Sequence, residues 1–141
     1  MNPPDKQSAG QSTIPTGNHG TVLIVEDEKL IGWSIVSTLT KAGFAATLVD
    51  SGEKAIEKLY AHRFDVVITD IKLPHIDGCE VASAVKALSP DSAVIMMTAL
   101  ADEISRAQSA AASVDYVLEK PFNLHALATV VSQLAHTRCH G

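Results

Sequence analysis

Phe64-Asp65-Val66-Val67-Ile68-Thr69-Asp70-Ile71-Lys72-Leu73-Pro74-His75-Ile76-Asp77-Gly78 is the stretch whose reading decides the fold. Val66 to Ile68 is a short β-branched run, the composition of a strand covered on both faces. Asp70 stands where that run ends. Pro74 and the Asp77-Gly78 pair then turn the backbone into a loop before the next helix. A carboxylate at the C-terminal end of a central strand, opening into a loop, is placed for chemistry. Its plainer use is to cap a turn. Residues at the ends of other strands bear on the choice between the two.

Upstream, Thr21-Val22-Leu23-Ile24-Val25 is a continuous apolar strand that ends in Glu26-Asp27-Glu28. Ile31, Ile35, Leu39 and Ala42 then recur at helical spacing, with Trp33 pointing away from them and Gly43 closing the helix. Ala45 to Val49 reads as a second strand. Asp50 and Glu53 have capping-box spacing for a helix whose buried stripe is Ala55, Ile56 and Leu59.

Downstream, Asp77 and Glu80 repeat the capping spacing, and Val81, Val85 and Leu88 make an inner face. Ser89-Pro90-Asp91 is a turn. Ala93-Val94-Ile95-Met96-Met97 is a fourth strand ending at Thr98-Ala99. Residues 101–111 read as a helix with Ile104 as its one large apolar anchor, so weakly held. Tyr116-Val117-Leu118 is a fifth strand, followed by Glu119-Lys120-Pro121-Phe122. Asn123 caps a last helix carrying Leu124, Leu127, Val131 and Leu134.

Strand and helix thus alternate with short connections, which predicts an α/β fold with a parallel sheet covered on both faces. The expected architecture is the flavodoxin-like (βα)5 doubly wound sheet, in strand order 2-1-3-4-5, with strands one and three flanking the topological switch point. Glu26, Asp27 and Asp70 are the acids at those two strand ends. Residues 1–19 are rich in Pro, Ser, Thr, Gly, Asn and Gln, and are expected to form a disordered tail. The domain is expected over 20–136, with 137–141 loose.

Composition narrows the function. A formal net charge of −5 disfavours a general nucleic-acid surface. No apolar run reaches the roughly 18 residues a membrane span needs. No basic segment leads into an apolar one at the N-terminus, so a cytoplasmic location is expected. Cys79 and Cys139 lie far apart and require no disulfide. His136 and His140 are four apart, but the frayed end of a chain explains them better than a metal site does.

Three crowded carboxylates repel one another, and a divalent cation removes that conflict. All-oxygen ligation favours Mg²⁺, with Mn²⁺ as the alternative. Thr98 brings a hydroxyl from the end of strand four, and Lys120 an ammonium from the end of strand five. A metal, a lysine and a hydroxyl around one aspartate suit transfer of a phosphoryl group onto that aspartate.

The segments Leu23-Ile24-Val25-Glu26-Asp27-Glu28, Thr69-Asp70-Ile71-Lys72-Leu73-Pro74 with Asp77-Gly78, Met97-Thr98-Ala99 and Lys120-Pro121-Phe122 resemble the receiver domain of bacterial two-component response regulators. Each motif alone is unspecific; the set, in this order and spacing, is specific. Leu30-Ile31-Gly32-Trp33-Ser34, Val94 to Ala99 and Leu118 to Phe122 further resemble receivers of the nitrogen-regulator subgroup. Those usually precede an ATPase and a DNA-binding domain, which this sequence lacks, so it reads as a stand-alone receiver.

The resemblance implies that Asp70 accepts phosphate from a histidine kinase or a histidine phosphotransfer protein. It implies that Asp27 ligates Mg²⁺ directly, Glu26 through water, and that Asp70 and the backbone carbonyl of Lys72 complete the protein ligands. Thr98 and Lys120 would bind phosphoryl oxygens, and the Lys120-Pro121 peptide would be cis. The first helix would help bind the kinase, and an unknown downstream protein would be reached by altered docking, with no enzyme activity beyond self-phosphorylation and dephosphorylation. Receivers usually carry an aromatic residue three positions before that lysine; here the position is Val117, and Tyr116 lies one residue earlier. In a regular strand the two point to opposite faces, which favours Val117 at the switch position unless a bulge intervenes.

Three rivals remain on the same residues. A phosphatase working through an aspartyl phosphate would place a second acid where Lys72 stands. A flavin carrier would need a phosphate-binding loop where Glu26-Asp27-Glu28 stands. A receiver-like binding module would lack some of the acceptor, acids, threonine and lysine that are all present.

Overall fold

Five parallel strands form one sheet in the order β2-β1-β3-β4-β5. In this computed structural model residues 19–99 and 113–140 are described, with side chains as far as His136. Residues 1–18 of the tail expected over 1–19, and the helix expected over 101–111, lie outside the described residues. The strands are β1 Thr21–Val25, β2 Ala45–Val49, β3 Val66–Asp70, β4 Ala93–Thr98 and β5 Tyr116–Glu119. The described helices are α1 Lys29–Lys41, α2 Gly52–Ala61, α3 Gly78–Leu88 and α4 Leu124–His140. The fold is the expected flavodoxin-like doubly wound parallel sheet, in the expected strand order.

Alternation of side chains along each strand divides the core in two. Leu23, Val25, Val67, Val94 and Met96 face α2 and α3, where Ala55, Leu59, Val81 and Val85 close on them. Val22, Ile24, Val66, Ile68, Ile95 and Met97 face α1 and α4, against Ile35, Leu39, Leu127 and Val131. Ile24, Ile35, Leu39, Ile68, Ile95 and Leu127 are wholly buried. Each such side chain stabilises the fold by ~2 kcal/mol relative to exposure. β3 is buried along its whole length, as its β-branched run requires.

Gly43 ends α1 with φ +97°, a backbone region that suits glycine. Asp77 accepts from the Glu80 amide while Glu80 reaches back to the Asp77 amide, the expected capping box at α3. Asn123 accepts from the Ala126 amide at 3.1 Å and caps α4. The Lys120-Pro121 peptide is cis.

Four expectations are corrected. The N-cap of α2 is Ser51, whose hydroxyl accepts from the Lys54 amide at 3.2 Å. Asp50 instead pairs with Lys54 at 3.0 Å, and the hydrogen bond from that ammonium holds its carboxyl below the usual aspartate range. Leu88 is exposed rather than part of the α3 inner face, because it closes the helix where the chain leaves the sheet. Ala42 is exposed as the C-cap of α1, beyond its buried stripe. Finally, α4 runs past residue 136 to His140, since no glycine or proline interrupts that run.

Candidate functional site

Strand register assembles the site. Val25 pairs with Thr69, so the next residues along, Glu26 and Asp70, meet side by side at the C-terminal ends of β1 and β3. Asp70 pairs with Met97, and Thr98 with Glu119, which brings the end of β4 and the start of the Lys120 turn to the same level. The Lys120 amide donates to the Thr98 carbonyl at 2.6 Å and ties the two strand ends together.

Glu26, Asp27 and Asp70 each offer a carboxylate oxygen within 4.8 Å of the others, a grouping that could hold a metal ion. Glu26 is wholly buried and Asp70 nearly so, while Asp27 faces solvent. Lys120 Nζ donates to Glu26 Oε1 at 2.9 Å and to Asp70 Oδ2 at 3.0 Å. The other Glu26 oxygen accepts from the Glu28 amide at 3.1 Å. Burial pushes the Glu26 carboxyl above the usual glutamate range, against the opposing pull of the Lys120 and Glu28 hydrogen bonds. Burial alone would lower the Lys120 ammonium, but its bonds to Glu26 and Asp70 outweigh that and raise it.

One ammonium against three carboxylates leaves a surplus of negative charge in a half-buried cluster. A hard divalent cation fits that donor set: oxygen ligands, one of them exposed, beside an open cleft. The cleft, about 540 Å³, is lined by Asp27, Glu28, Asp70, Lys72, Leu73, Pro74, Ala99 and Lys120. Thr98 is wholly buried at the end of β4. All six residues singled out in the sequence therefore stand at the C-terminal edge of the sheet, and Asp27, Asp70, Lys72 and Lys120 face one cleft.

The unbroken pairing Ile95–Tyr116, Met96–Val117, Met97–Leu118 shows that β5 has no bulge. Val117 packs with the cluster of Val94 and Met96, the face on which Thr98 also falls by alternation. Tyr116 falls on the other face with Leu118 and is 43% exposed. The register expected for Val117 is the one observed.

Two features went unread in the sequence. An apolar groove of about 600 Å³ runs from α1 to the Lys120 turn, lined by Leu30, Ile31, Ser34, Pro121, Phe122 and Leu124 among others. Leu30, 78% exposed, falls outside the α1 stripe, and that exposed leucine was the available signal. The other feature is the close approach of Gly52, at the start of α2, to Ile76, which no local pattern marks.

Residues 22–132 match the model of the response regulator receiver domain. The chain belongs to that family. It is 32% identical over 113 residues to the response regulator receiver protein CpdR of Brucella abortus, covering 80% of this chain and 94% of that protein. It is 35% identical over 121 residues to the transcriptional regulator NtrC of Klebsiella pneumoniae, covering 83% of this chain but 25% of that longer protein. Among solved structures, the response regulator TrrA of Thermotoga maritima, in complex with Mg²⁺-BeF, superposes with a TM-score of 0.73 at 30% identity, over 81% of this chain and 97% of that one. No described helix is long and apolar enough to cross a membrane.

Proposed function

We propose that Asp70 accepts a phosphoryl group from a histidine kinase or a histidine phosphotransfer protein, in a reaction that needs Mg²⁺. The observation that carries this reading is the meeting of Asp70 with two further carboxylates and the Lys120 ammonium at one cleft. One Asp70 oxygen attacks phosphorus, the P–N bond of the donor phosphohistidine breaks, and its electron pair stays on the imidazole nitrogen. Lys120 already bonds Asp70 Oδ2, so a small shift carries its ammonium to a phosphoryl oxygen. The Thr98 hydroxyl donates to a second oxygen. Asp27, Asp70 and the Lys72 carbonyl would hold Mg²⁺ directly, and Glu26 through a water. Bound there, the ion neutralises charge on the phosphoryl oxygens.

The groove between α1 and the Lys120 turn suits docking of the phosphodonor protein, because it is apolar and opens beside the Asp70 cleft. A second acid two residues beyond the nucleophile, as a phosphatase would use, is replaced here by Lys72. The protein therefore works on its own aspartate and signals by altered docking, through Thr98 and Val117 without an aromatic rotamer change.

Incubation with acetyl phosphate and Mg²⁺ tests the proposal. One acid-stable, base-labile acyl phosphate per chain is expected. Steady release of phosphate with multiple turnovers would instead mark a phosphatase, and no labelling a binding module.

A further inference from the structure

Segment 71–77 links Asp70 to α3 and carries the Lys72 carbonyl. It is pinned at both ends. The Ile71 amide donates to the Met97 carbonyl at 3.0 Å, and the Gly78 amide donates to the Ile71 carbonyl at 2.9 Å. Between those ties His75 sits at φ +66°, a left-handed conformation that a non-glycine residue holds only where its surroundings enforce it. The neighbouring residue Ile76 meets the first residue of α2. A Cβ on Gly52 would lie 2.7 Å from the Ile76 carbonyl oxygen and 3.0 Å from both Ile76 Cβ and Cγ2. The nearest of those atoms is backbone, so rotation of the Ile76 side chain cannot relieve the clash. Ile76 also packs into the cluster between β3, α2 and α3.

Resting on the reading of Asp70 and its metal given above, we infer that Gly52 is a positioning residue for the site. By lacking a side chain it lets α2 close directly on Ile76, and that contact sets where segment 71–77, and with it the Lys72 carbonyl, lies relative to Asp27 and Asp70. Gly32 makes the natural control. It is buried in α1, and an added Cβ would stand 2.8 Å from Leu48 Cδ1, the movable end of a side chain away from this loop.

The experiment compares wild type, Gly52→Ala, Gly32→Ala and Ile76→Ala by amide exchange in metal-free protein and by calorimetric titration with Mg²⁺ alone. Gly52→Ala is expected to speed exchange across 71–78 and to raise the Mg²⁺ Kd ~10-fold, the scale of losing support behind a ligand. Gly32→Ala is expected to lower the melting temperature while leaving both quantities unchanged. If Gly52→Ala fails to fold, Ile76→Ala decides, because it loosens the same contact without adding an atom and should shift both quantities in the same direction. Wild-type exchange or wild-type Mg²⁺ affinity in the deciding variant overturns the inference. If the wild type itself binds no Mg²⁺, the reading of the metal cluster fails instead, and loop exchange in metal-free protein alone decides the role of Gly52.

Discussion

Asp65 and Asp70 stand at the two ends of β3, and both are 8% exposed. Their surroundings differ in kind. Asp65 accepts from the Thr21 amide at 2.9 Å, from the Thr21 hydroxyl at 3.4 Å and from Arg63 at 2.7 Å. Asp115, just ahead of β5, is held alike, by the Val94 amide at 2.8 Å and by Lys86 at 3.0 Å. Nearby, the buried Ser92 hydroxyl donates to the Phe64 carbonyl. At the opposite edge, Asp70 shares one lysine with Glu26. Backbone amides are fixed donors, so the carboxylates at the N-terminal edge join neighbouring strands permanently. A lysine ammonium on a flexible stem is a movable donor, so Asp70 and the Glu26 oxygen beside it are free to exchange that lysine for another cation, while the second Glu26 oxygen keeps its bond from the Glu28 amide. Burial therefore does not separate Asp65 from Asp70; the permanence of their donors does.

The sharpest way to break this comparison is to neutralise one aspartate at each end of β3. Asp70→Asn is expected to abolish labelling by acetyl phosphate, while Asp65→Asn is labelled to wild-type extent in its folded fraction. Labelling of Asp70→Asn at the wild-type level would remove the proposed acceptor.

Removing the shared lysine comes next. Lys120→Ala leaves the buried Glu26 facing Asp70 without a compensating cation, and loss of one partner from a buried pair costs ~3 kcal/mol or more. Urea unfolding at neutral pH without metal should show that loss, and added Mg²⁺ should restore much of it. A loss that Mg²⁺ leaves untouched would show that the lysine and the ion do not compete for the same charges.

At the fixed edge a smaller effect is expected, and one indifferent to metal. Asp65→Ala removes an acceptor from the Thr21 amide and an ion pair from Arg63, and should destabilise the protein by ~2 kcal/mol, equally with and without Mg²⁺. Unequal losses in the two conditions would show that the two edges are coupled.

The gentlest probe is pH. The Glu26 carboxyl is raised by burial, so the folded state binds that proton more tightly than the unfolded chain does. Stability of the metal-free protein should therefore fall as pH climbs from the ordinary glutamate value through the raised one. Glu26→Gln should remove that part of the slope, and saturating Mg²⁺ should reduce it. Lys120, raised by its two carboxylate partners, acts in the alkaline range: its contribution is full below the ordinary lysine value and is lost as pH passes the raised one. A slope unchanged in Glu26→Gln would place the neutral-side dependence on another group.

Much of this molecule is legible without coordinates because its signals are local. The β-branched run of β3 needs two covered faces whatever surrounds it. Asp77 and Glu80 cap α3 through bonds that span a single turn. The alternation of strand and short helix admits few topologies once crossovers are right-handed. Even the place of Val117 follows from period-two geometry, and the unbroken register of β5 agrees with it.

What needed the tertiary structure joins residues distant in the chain or chooses between equivalent local options. Asp50 and Ser51 are both competent caps, and the path of the chain leaving β2 selects Ser51. Leu88 has the spacing of a core residue, but α3 ends where the sheet no longer covers it. The sequence contains Asp65, Asp70 and Asp115 as one residue type beside one kind of strand. Only strand register puts backbone amides against two of them and a lysine, 94 positions from its other partner Glu26, against the third. The approach of Gly52 to Ile76 belongs to the same class, because a missing side chain has no meaning until another backbone is packed against it. Periodicity and caps are properties of neighbours along the chain; donors, clefts and close approaches are properties of neighbours in space.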